Sequence, residues 1–336
     1  MITPKVSIVV PIYNRVKHID NCVKCLKAQT YGNLEFIMVD DGSTDGSGEK
    51  CDSYASVDAR FKIIHQKNSG VSTARNAGTE AAEGDYIIYY DVDDDILPNL
   101  VEENVEIAVQ NDADVVMFGF RYHSVTKDTF KDNYLGRGFI GNAQEFFDDY
   151  LVLAIKHEIL NAQWNKVYKK SFLMENNIRF MPEYSIYEDM IFSSLMLPHA
   201  EKIVVNDKLY YTYNLYGSGT LITRYVSNYF AAVTTFYKNM MAYCDMFENN
   251  SEQKSKFSAL YVGLVAANLK QISCNKDIDR NEKLRLISDI ISNEMFRQAL
   301  TIGDLEPRKI FVKTFSFGNN AGAIYHMYRL LDLIQK

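Results

Sequence analysis

Four times in the first 95 residues a short run of β-branched and aromatic residues ends abruptly in a polar turn. Val6-Ser-Ile-Val-Val-Pro-Ile stops near Pro11, and Leu34-Glu-Phe-Ile-Met-Val runs into Asp40-Asp-Gly-Ser-Thr-Asp-Gly. Phe61-Lys-Ile-Ile-His precedes Asn68-Ser-Gly, and Gly84-Asp-Tyr-Ile-Ile-Tyr-Tyr opens onto Asp91. Helical patterns lie between them, from about Val16 to Gln29 and through Ala74–Ala82. Another follows Pro98 and leads to the apolar run Ala113–Phe120. Short continuous apolar runs alternating with helices predict an α/β fold with a mostly parallel sheet covered on both faces. Ligands of such sheets bind beyond the carboxyl ends of the strands, which is where the polar turns fall.

The pattern then changes. Residues 120–224 read as mixed, with a variable loop around Ser124–Gly141, a helix around Ala143–Ile155 and the segment Trp164-Asn-Lys-Val-Tyr. Beyond residue 225 the spacing predicts three helices, Tyr229–Phe247, Lys256–Gln271 and Asn281–Leu300, broken at Asn249-Asn-Ser-Glu and at Ile272–Asp279. This places a boundary near 225, with a first domain over 1–224 and a helical region over 225–336. Charge divides in the same place. The chain holds 36 basic and 43 acidic residues, of which 225–336 carry 14 and 11, leaving 22 and 32 in the first 224. A net charge of −7 argues against a general polyanion binder, so no nucleic-acid partner is expected.

The N-terminal apolar run is broken at Pro11 and lacks the features of a secretory signal, and no segment approaches the roughly 20 apolar residues that span a bilayer. Five cysteines form no dense disulfide framework, and Cys22-x-x-Cys25 falls inside a helical pattern instead of at a strand-to-helix start. A reducing cytoplasmic setting is the expectation.

Asp91-Val-Asp93-Asp94-Asp95 is the most informative local feature. Past a buried strand, Asp91 and Asp93 can converge on one hard divalent cation while the metal keeps positions open for phosphate. The spacing is not that of an EF-hand, and a solvated turn with helix-capping aspartates is the competing reading. Asp40-Asp41-Gly42 ends another strand and can accept hydrogen bonds from a base or ribose, or simply make a turn. Arg75, near a helix start in Gly70-Val-Ser-Thr-Ala-Arg-Asn, can meet a diphosphate or orient a carboxylate. Glu188-Asp189 precedes the apolar helix Met190–Leu197, where one of the pair can cap the helix or a carboxylate can take a proton from an attacking hydroxyl.

Val6-Ser-Ile-Val-Val-Pro-Ile-Tyr-Asn, Val39-Asp-Asp-Gly-Ser-Thr-Asp-Gly, Asn68-Ser-Gly-Val-Ser-Thr-Ala-Arg-Asn-Ala-Gly and Tyr90-Asp-Val-Asp-Asp, in that order, resemble the family 2 glycosyltransferases of the GT-A fold. Trp164-Asn-Lys-Val-Tyr-Lys-Lys-Ser-Phe-Leu and Glu188-Asp189 are similar to motifs of its bacterial polysaccharide-assembly members. The resemblance implies that Pro11, Tyr13 and Asn14 line the nucleotide pocket, that Asp41 pairs with the uracil edge, and that Asp40 supports the same turn. It implies Arg75 near the nucleotide, Asp91 as the nucleotide-side acid, Asp93 as ligand of Mg²⁺ or Mn²⁺ with Asp91 beside it, and Asp94 facing the donor sugar. Asp189 would be the catalytic base, Glu188 would shape the donor or acceptor pocket, and Trp164 would offer an apolar face to a sugar, although a lone tryptophan is at least as often a core residue.

The implied activity is inverting transfer of one sugar from a UDP-sugar to a hydroxyl of a glycan or lipid-linked oligosaccharide, in cell-surface polysaccharide synthesis. One departure stands out. Family members often carry a basic residue ahead of a Gly-Ser in a mobile loop, whereas this chain reads Tyr211-Thr-Tyr-Asn-Leu-Tyr-Gly-Ser, with Arg224 further on. Two other readings remain: a nucleotidyltransferase, whose phosphate loop is usually richer in Gly and Lys or Arg than Pro11-Ile-Tyr-Asn, and a non-catalytic carbohydrate-binding protein on the same fold. The helical region, including the amphipathic Tyr325–Ile334, fits ordinary core packing, self-association or peripheral contact with the inner membrane face.

Overall fold

The computed structural model describes residues 3–217, 225–305, 312–316 and 318–334. Residues 1–218 and 219–336 form two compact units.

The first unit is built on strands β1 (Val6–Ile12), β2 (Leu34–Asp40), β3 (Phe61–His65) and β4 (Tyr86–Tyr89), in the order β3-β2-β1-β4. All three pairings are parallel, with Val6 opposite Leu34 and Tyr86, and Phe36 opposite Phe61. Because the registers align, the residues just past β1, β2, β3 and β4 emerge at one edge: Tyr13–Asn14, Asp41, Gln66 and Asp91. Helices α1 (Ile19–Lys27), α2 (Ser47–Ala55) and α3 (Val71–Ala81) connect these strands. α2 shows no strong apolar period, because its buried residues are small: Ser47, Gly48 and Cys51.

β5 (Asp95–Ile96) leads into α4 (Leu100–Asn111) and then β6 (Val115–Ser124). The stretch expected to be a variable loop, 124–141, holds two strands, β7 (Thr129–Asn133) and β8 (Phe139–Gly141), pairing with β6 and with β10 (Ile203–Leu215). β7 is an edge strand whose first four residues are exposed, so it lacks the apolar alternation that marks a strand in sequence. The helix expected over 143–155 is two, α5 (Ala143–Asp149) and α6 (Leu151–Lys156).

β9 (Lys166–Lys169), followed by α7 (Lys170–Glu175), inserts antiparallel between β4 and β6, with Ile88 opposite Val167 and Val116 also opposite Val167. The reversal matters for position. Its start, preceded by Gln163 and Trp164, therefore lies at the edge where β4 ends. α8 (Glu188–Met196) precedes β10, which runs parallel to β6 and carries register shifts before Tyr211. The long strand replaces the mobile loop expected from Tyr211; Leu215 is still in it, while Ser218 and Arg224 lie outside the described residues. β9 and the short β5 run against the other strands of the main path, so the sheet is mostly parallel as expected.

The second unit is helical: α9 (Tyr229–Cys244), α10 (Ser251–Cys274), α11 (Arg280–Ser292), α12 (Glu294–Ile302) and α13 (Ala321–Ile334). α10 buries Phe257, Tyr261, Val262, Val265 and Leu269, and Tyr261 stacks on Tyr237 of α9 at 4.3 Å between ring centroids. The third expected helix is divided at Asn293, which leaves helical dihedrals and accepts from Phe296 N at 3.1 Å, capping α12. Among the described residues no helix is long and apolar enough to cross a membrane.

Candidate active site

At the ends of β1 and β2 the turns lock together. Asn14 adopts a left-handed conformation (φ 52°), its N–H donating to Ser43 Oγ at 3.0 Å and its Oδ1 accepting from Thr44 N at 2.9 Å. Gly42, at φ 75°, is required there, since a Cβ would stand 2.8 Å from Asn68 N. Asp40 accepts from Ser43 N and meets His65 Nδ1, both at 3.0 Å. Burial alone would raise the Asp40 pKa, but these hydrogen bonds outweigh it and hold the carboxylate below its ordinary value. Asp41 is committed to the loop after β3: Oδ1 accepts from Gln66 Nε2 at 2.7 Å and Ser69 N at 2.8 Å, and Oδ2 from Gly70 N at 2.8 Å. Pro11 is half-buried, and Tyr13 leaves 47% of its surface open at this edge.

The acidic turn after β4 is held by β10. Tyr211 Oη donates to Asp94 Oδ2 at 2.6 Å and accepts from Asp91 N at 3.2 Å. Asn214 N donates to Asp94 Oδ1 at 2.8 Å, and its amide donates to Asp93 O at 3.1 Å and Asp95 Oδ2 at 2.8 Å. Tyr216 Oη adds a bond to Asp93 O at 3.0 Å. Asp94 therefore does not face a donor sugar. Its carboxylate is buried, with both oxygens spent on β10, and its pKa is raised by burial and by Asp91. Tyr211 and Asn214, which stand where a basic residue was expected, fasten this turn. Asp93 remains part-exposed, with Arg15 Nε 3.3 Å from Oδ2.

Arg75 is the electrostatic centre of the site. Lying on α3 and 3% exposed, it donates through Nη2 to Asp91 Oδ1 at 3.1 Å, and through Nη1 to Asp189 Oδ1 at 2.9 Å and Glu188 Oε1 at 3.3 Å. The Phe180 ring lies 5.2 Å from the guanidinium. Burial would lower the Arg75 pKa, but Asp189, Asp91 and Glu188 together push it above its ordinary value. Glu188 and Asp189 occupy the first turn of α8, and the N-cap is Tyr187 in a left-handed conformation (φ 60°). Such a conformation costs about 1–3 kcal/mol for a residue of this kind and is a mark of functional turns. Instead of capping α8, the two carboxylates engage the guanidinium. Asp189 keeps 24% of its side chain exposed, and burial and the neighbouring Glu188 raise its pKa well above the ordinary value, with Arg75 opposing.

Trp164 also departs from its expected part. It is 4% exposed and stacked against Tyr211 (4.3 Å) and Tyr213 (5.5 Å), with Phe120 edge-on at 4.7 Å, so it supports β10 from within and has no open face for a sugar. Its neighbour Gln163 is a site residue that the sequence reading missed. Its amide is assigned with the oxygen toward Arg75 and the nitrogen toward Asp189, the orientation that satisfies both neighbours; Gln163 then accepts from Arg75 Nη2 at 2.5 Å and donates to Asp189 Oδ1 and Oδ2 at 2.8 and 2.7 Å. Lys166, fully buried, donates to Ile159 O (2.9 Å), Asn165 Oδ1 (2.8 Å) and Ala162 O, and burial lowers its pKa to about 7. The one signal for both residues is their place beside the sole tryptophan.

The donor set fits a divalent cation. Among the described residues Asp91 Oδ2 and Asp93 Oδ1 have no hydrogen-bond or ion-pair partner, and both side chains are part-exposed. Among the described residues no group of three or more His, Cys, Asp or Glu could hold a metal ion by itself.

Residues 7–174 match the model of glycosyl transferase family 2, half of the chain, and the chain belongs to that family. It is a glycosyltransferase on a GT-A fold. EpsH of Bacillus subtilis is 29% identical over 310 residues, 90% of this chain and 87% of that protein. The crystal structure of S. aureus TarS 1–349 in complex with UDP superposes with a TM-score of 0.74 at 18% identity, covering 97% of this chain and 91% of that one. The mannosyltransferase PcManGT of Pyrobaculum calidifontis, in complex with GDP-Man and Mn²⁺, gives 0.51 at 12% identity, covering 98% and 88%.

Proposed function

We propose that this chain transfers one sugar from a UDP-sugar to a hydroxyl of a glycan or lipid-linked oligosaccharide in cell-surface polysaccharide synthesis, inverting the anomeric carbon, with Asp189 as general base. The observation that carries the reading is the sharing of one buried guanidinium, Arg75, by Asp189 and Asp91. It ties a part-exposed carboxylate to the acidic turn assigned to the donor diphosphate, so a base and a leaving-group site stand on one rigid support.

The acceptor oxygen bonds to the anomeric carbon as the bond to the UDP oxygen breaks, and the acceptor proton passes to Asp189. A raised pKa suits that task, because a more basic carboxylate holds the transferred proton better than an ordinary one. Charge on the sugar develops as in glycoside hydrolysis, and a single displacement turns an α-linked donor into a β-linked product. Asp93 and Asp91 would hold Mg²⁺ or Mn²⁺, which when bound neutralises charge on the departing diphosphate. Tyr13, Pro11, Asn14 and the Asp40–Asp41 turn are assigned to the nucleoside, with Glu188 at the sugar side. The helical unit is assigned peripheral membrane contact or self-association.

Asp189→Asn is the test. UDP binding, measured by calorimetric titration, is expected to survive within about threefold while transfer falls by about 10²–10⁴. Near-parental turnover in this variant would end the base assignment. Release of UDP, and not pyrophosphate, across a panel of UDP-sugars separates transfer from nucleotidyl chemistry and identifies the donor.

A further inference from the structure

Both ends of the Gln163 side chain are used, and each by a different part of the site. The oxygen accepts from Arg75 Nε at 3.3 Å and Nη2 at 2.5 Å, while the nitrogen reaches both oxygens of Asp189. Among the described residues Arg75 donates to Asp189 Oδ1, and the assigned Gln163 amide reaches Oδ2 as well. The amide thus closes a ring of hydrogen bonds around the carboxylate and sets the rotation of its plane. Oδ2 is left as the oxygen without a cationic partner, and hence the better proton acceptor.

A side chain can orient its neighbour only if it is itself immobile, and here the backbone that carries Gln163 is fixed on every side. Gln163, Asn165 and Lys166 are fully buried. Tyr168 Oη donates to Gln163 O at 3.4 Å, and Lys166 Nζ binds the carbonyls of Ile159 and Ala162 just upstream. Asn165 Nδ2 donates to Phe118 O at 3.1 Å and Ile159 O at 3.0 Å, while Phe118 N donates back to Asn165 O at 3.0 Å. Such a frame of buried polar groups, each satisfied, is the kind of support that holds a reactive group in one geometry.

We infer that Gln163 is a positioning residue for the transfer reaction: it acts through Asp189, fixing which carboxylate oxygen meets the acceptor hydroxyl, and touches neither donor nor acceptor. The inference rests on the reading of Asp189 as base. Lys166 and Asn165 act one step further out, by holding the peptide from which Gln163 reaches.

Two substitutions separate this role from simple filling of space. Gln163→Met removes both polar ends. Gln163→Glu keeps the shape and the acceptor for Arg75 but sets a carboxylate against Asp189. Both are expected to lower kcat about 10–100-fold, with the KM for UDP-sugar and the affinity for UDP within about threefold, since the interaction lost is made with the base alone. Emission from Trp164, the single tryptophan and the next residue in the chain, reports whether the local packing survives. If the Met variant fails that control, the Glu variant carries the same decision. A filler role predicts instead that Glu, which retains the contact with Arg75, keeps parental kcat.

The decisive measurement is the double variant. If Gln163 works through Asp189, adding Gln163→Met to Asp189→Asn is expected to cost no further rate in single-turnover assays. A second loss as large as the first would overturn the inference, as would a parental kcat in both single variants when Asp189→Asn is inactive. Parental turnover in Asp189→Asn would instead remove the base reading on which it rests.

Discussion

Replacing Arg75 by methionine is the most direct test of how the site is held together. The guanidinium is buried, and three carboxylates on two chain segments far apart in sequence converge on it: Asp91 at 3.1 Å, Asp189 at 2.9 Å and Glu188 at 3.3 Å. Methionine fills much the same volume, so packing changes little, but the carboxylates lose their shared counter-charge. Breaking a buried ion pair from one side costs about 3–5 kcal/mol, because the partner is left uncompensated. For a unit of this size about 2–4 °C of melting temperature accompanies each kcal/mol, so a fall of about 6–20 °C is expected near pH 7.

The pH dependence gives a sharper reading than the shift alone. Burial already raises the pKa of Asp189 and Asp91 above the unfolded value, and Arg75 opposes it. Without Arg75 the folded-state values rise further, so the native variant binds more protons than its unfolded chain. Its penalty is then complete above the folded pKa and disappears as pH falls below the unfolded value, about 4. The gap between parent and variant, followed by circular dichroism on the ligand-free proteins, is expected to narrow steadily as the pH is lowered from 8 towards 4. A gap under about 2 °C at pH 7, or one independent of pH, would show that Arg75 does not neutralise these acids.

Two further outcomes follow from the acidic turn. Tyr211→Phe leaves a buried oxygen of Asp94 and the N–H of Asp91 without partners, and is expected to cost about 1–3 kcal/mol, read as a lower melting temperature. An unchanged melting curve would mean that β10 does not fasten the turn. Asp93→Asn is expected to weaken Mn²⁺ binding in the presence of UDP by at least about tenfold, followed by electron paramagnetic resonance. Chelation should abolish UDP release by the parent, reversibly on adding Mg²⁺ or Mn²⁺, and full activity in excess chelator would refute the metal assignment.

The sequence reading succeeded where position along the chain and position in space are related by a simple rule. Parallel strands of matched register deliver their carboxyl ends to one edge, so Asp40–Asp41 and Asp91–Asp95 could be brought together from the order of apolar runs alone. It failed where that rule is reversed. β9 enters antiparallel between β4 and β6, so its beginning is what reaches the site, and nothing in the spacing of apolar residues records that direction. Gln163 was therefore invisible, and of the two parts open to Trp164, a sugar-facing ring or a core residue, the fold takes the second. Asn293 was missed for a different reason, since an asparagine inside an apolar-periodic stretch serves equally as a weak helix former or as a cap, and tertiary packing decides.

The segment from Tyr211 shows how a departure from a family pattern becomes intelligible once geometry is known. Read as sequence, this stretch lacks the basic residue that family members often carry there. In the fold, Tyr211 and Asn214 are donors to a turn that carries four aspartates in five residues. A turn so rich in like charges cannot keep its shape by itself. Hydrogen bonds from neutral groups satisfy Asp94 and Asp95 without adding positive charge, while Arg75 and Arg15 each take one oxygen of Asp91 and Asp93. Among the described residues one oxygen on each of those two acids is left without a partner. The two replaced positions thus satisfy the buried Asp94 and the half-buried Asp95 and leave Asp91 and Asp93, the pair proposed above to hold the cation, free of those bonds.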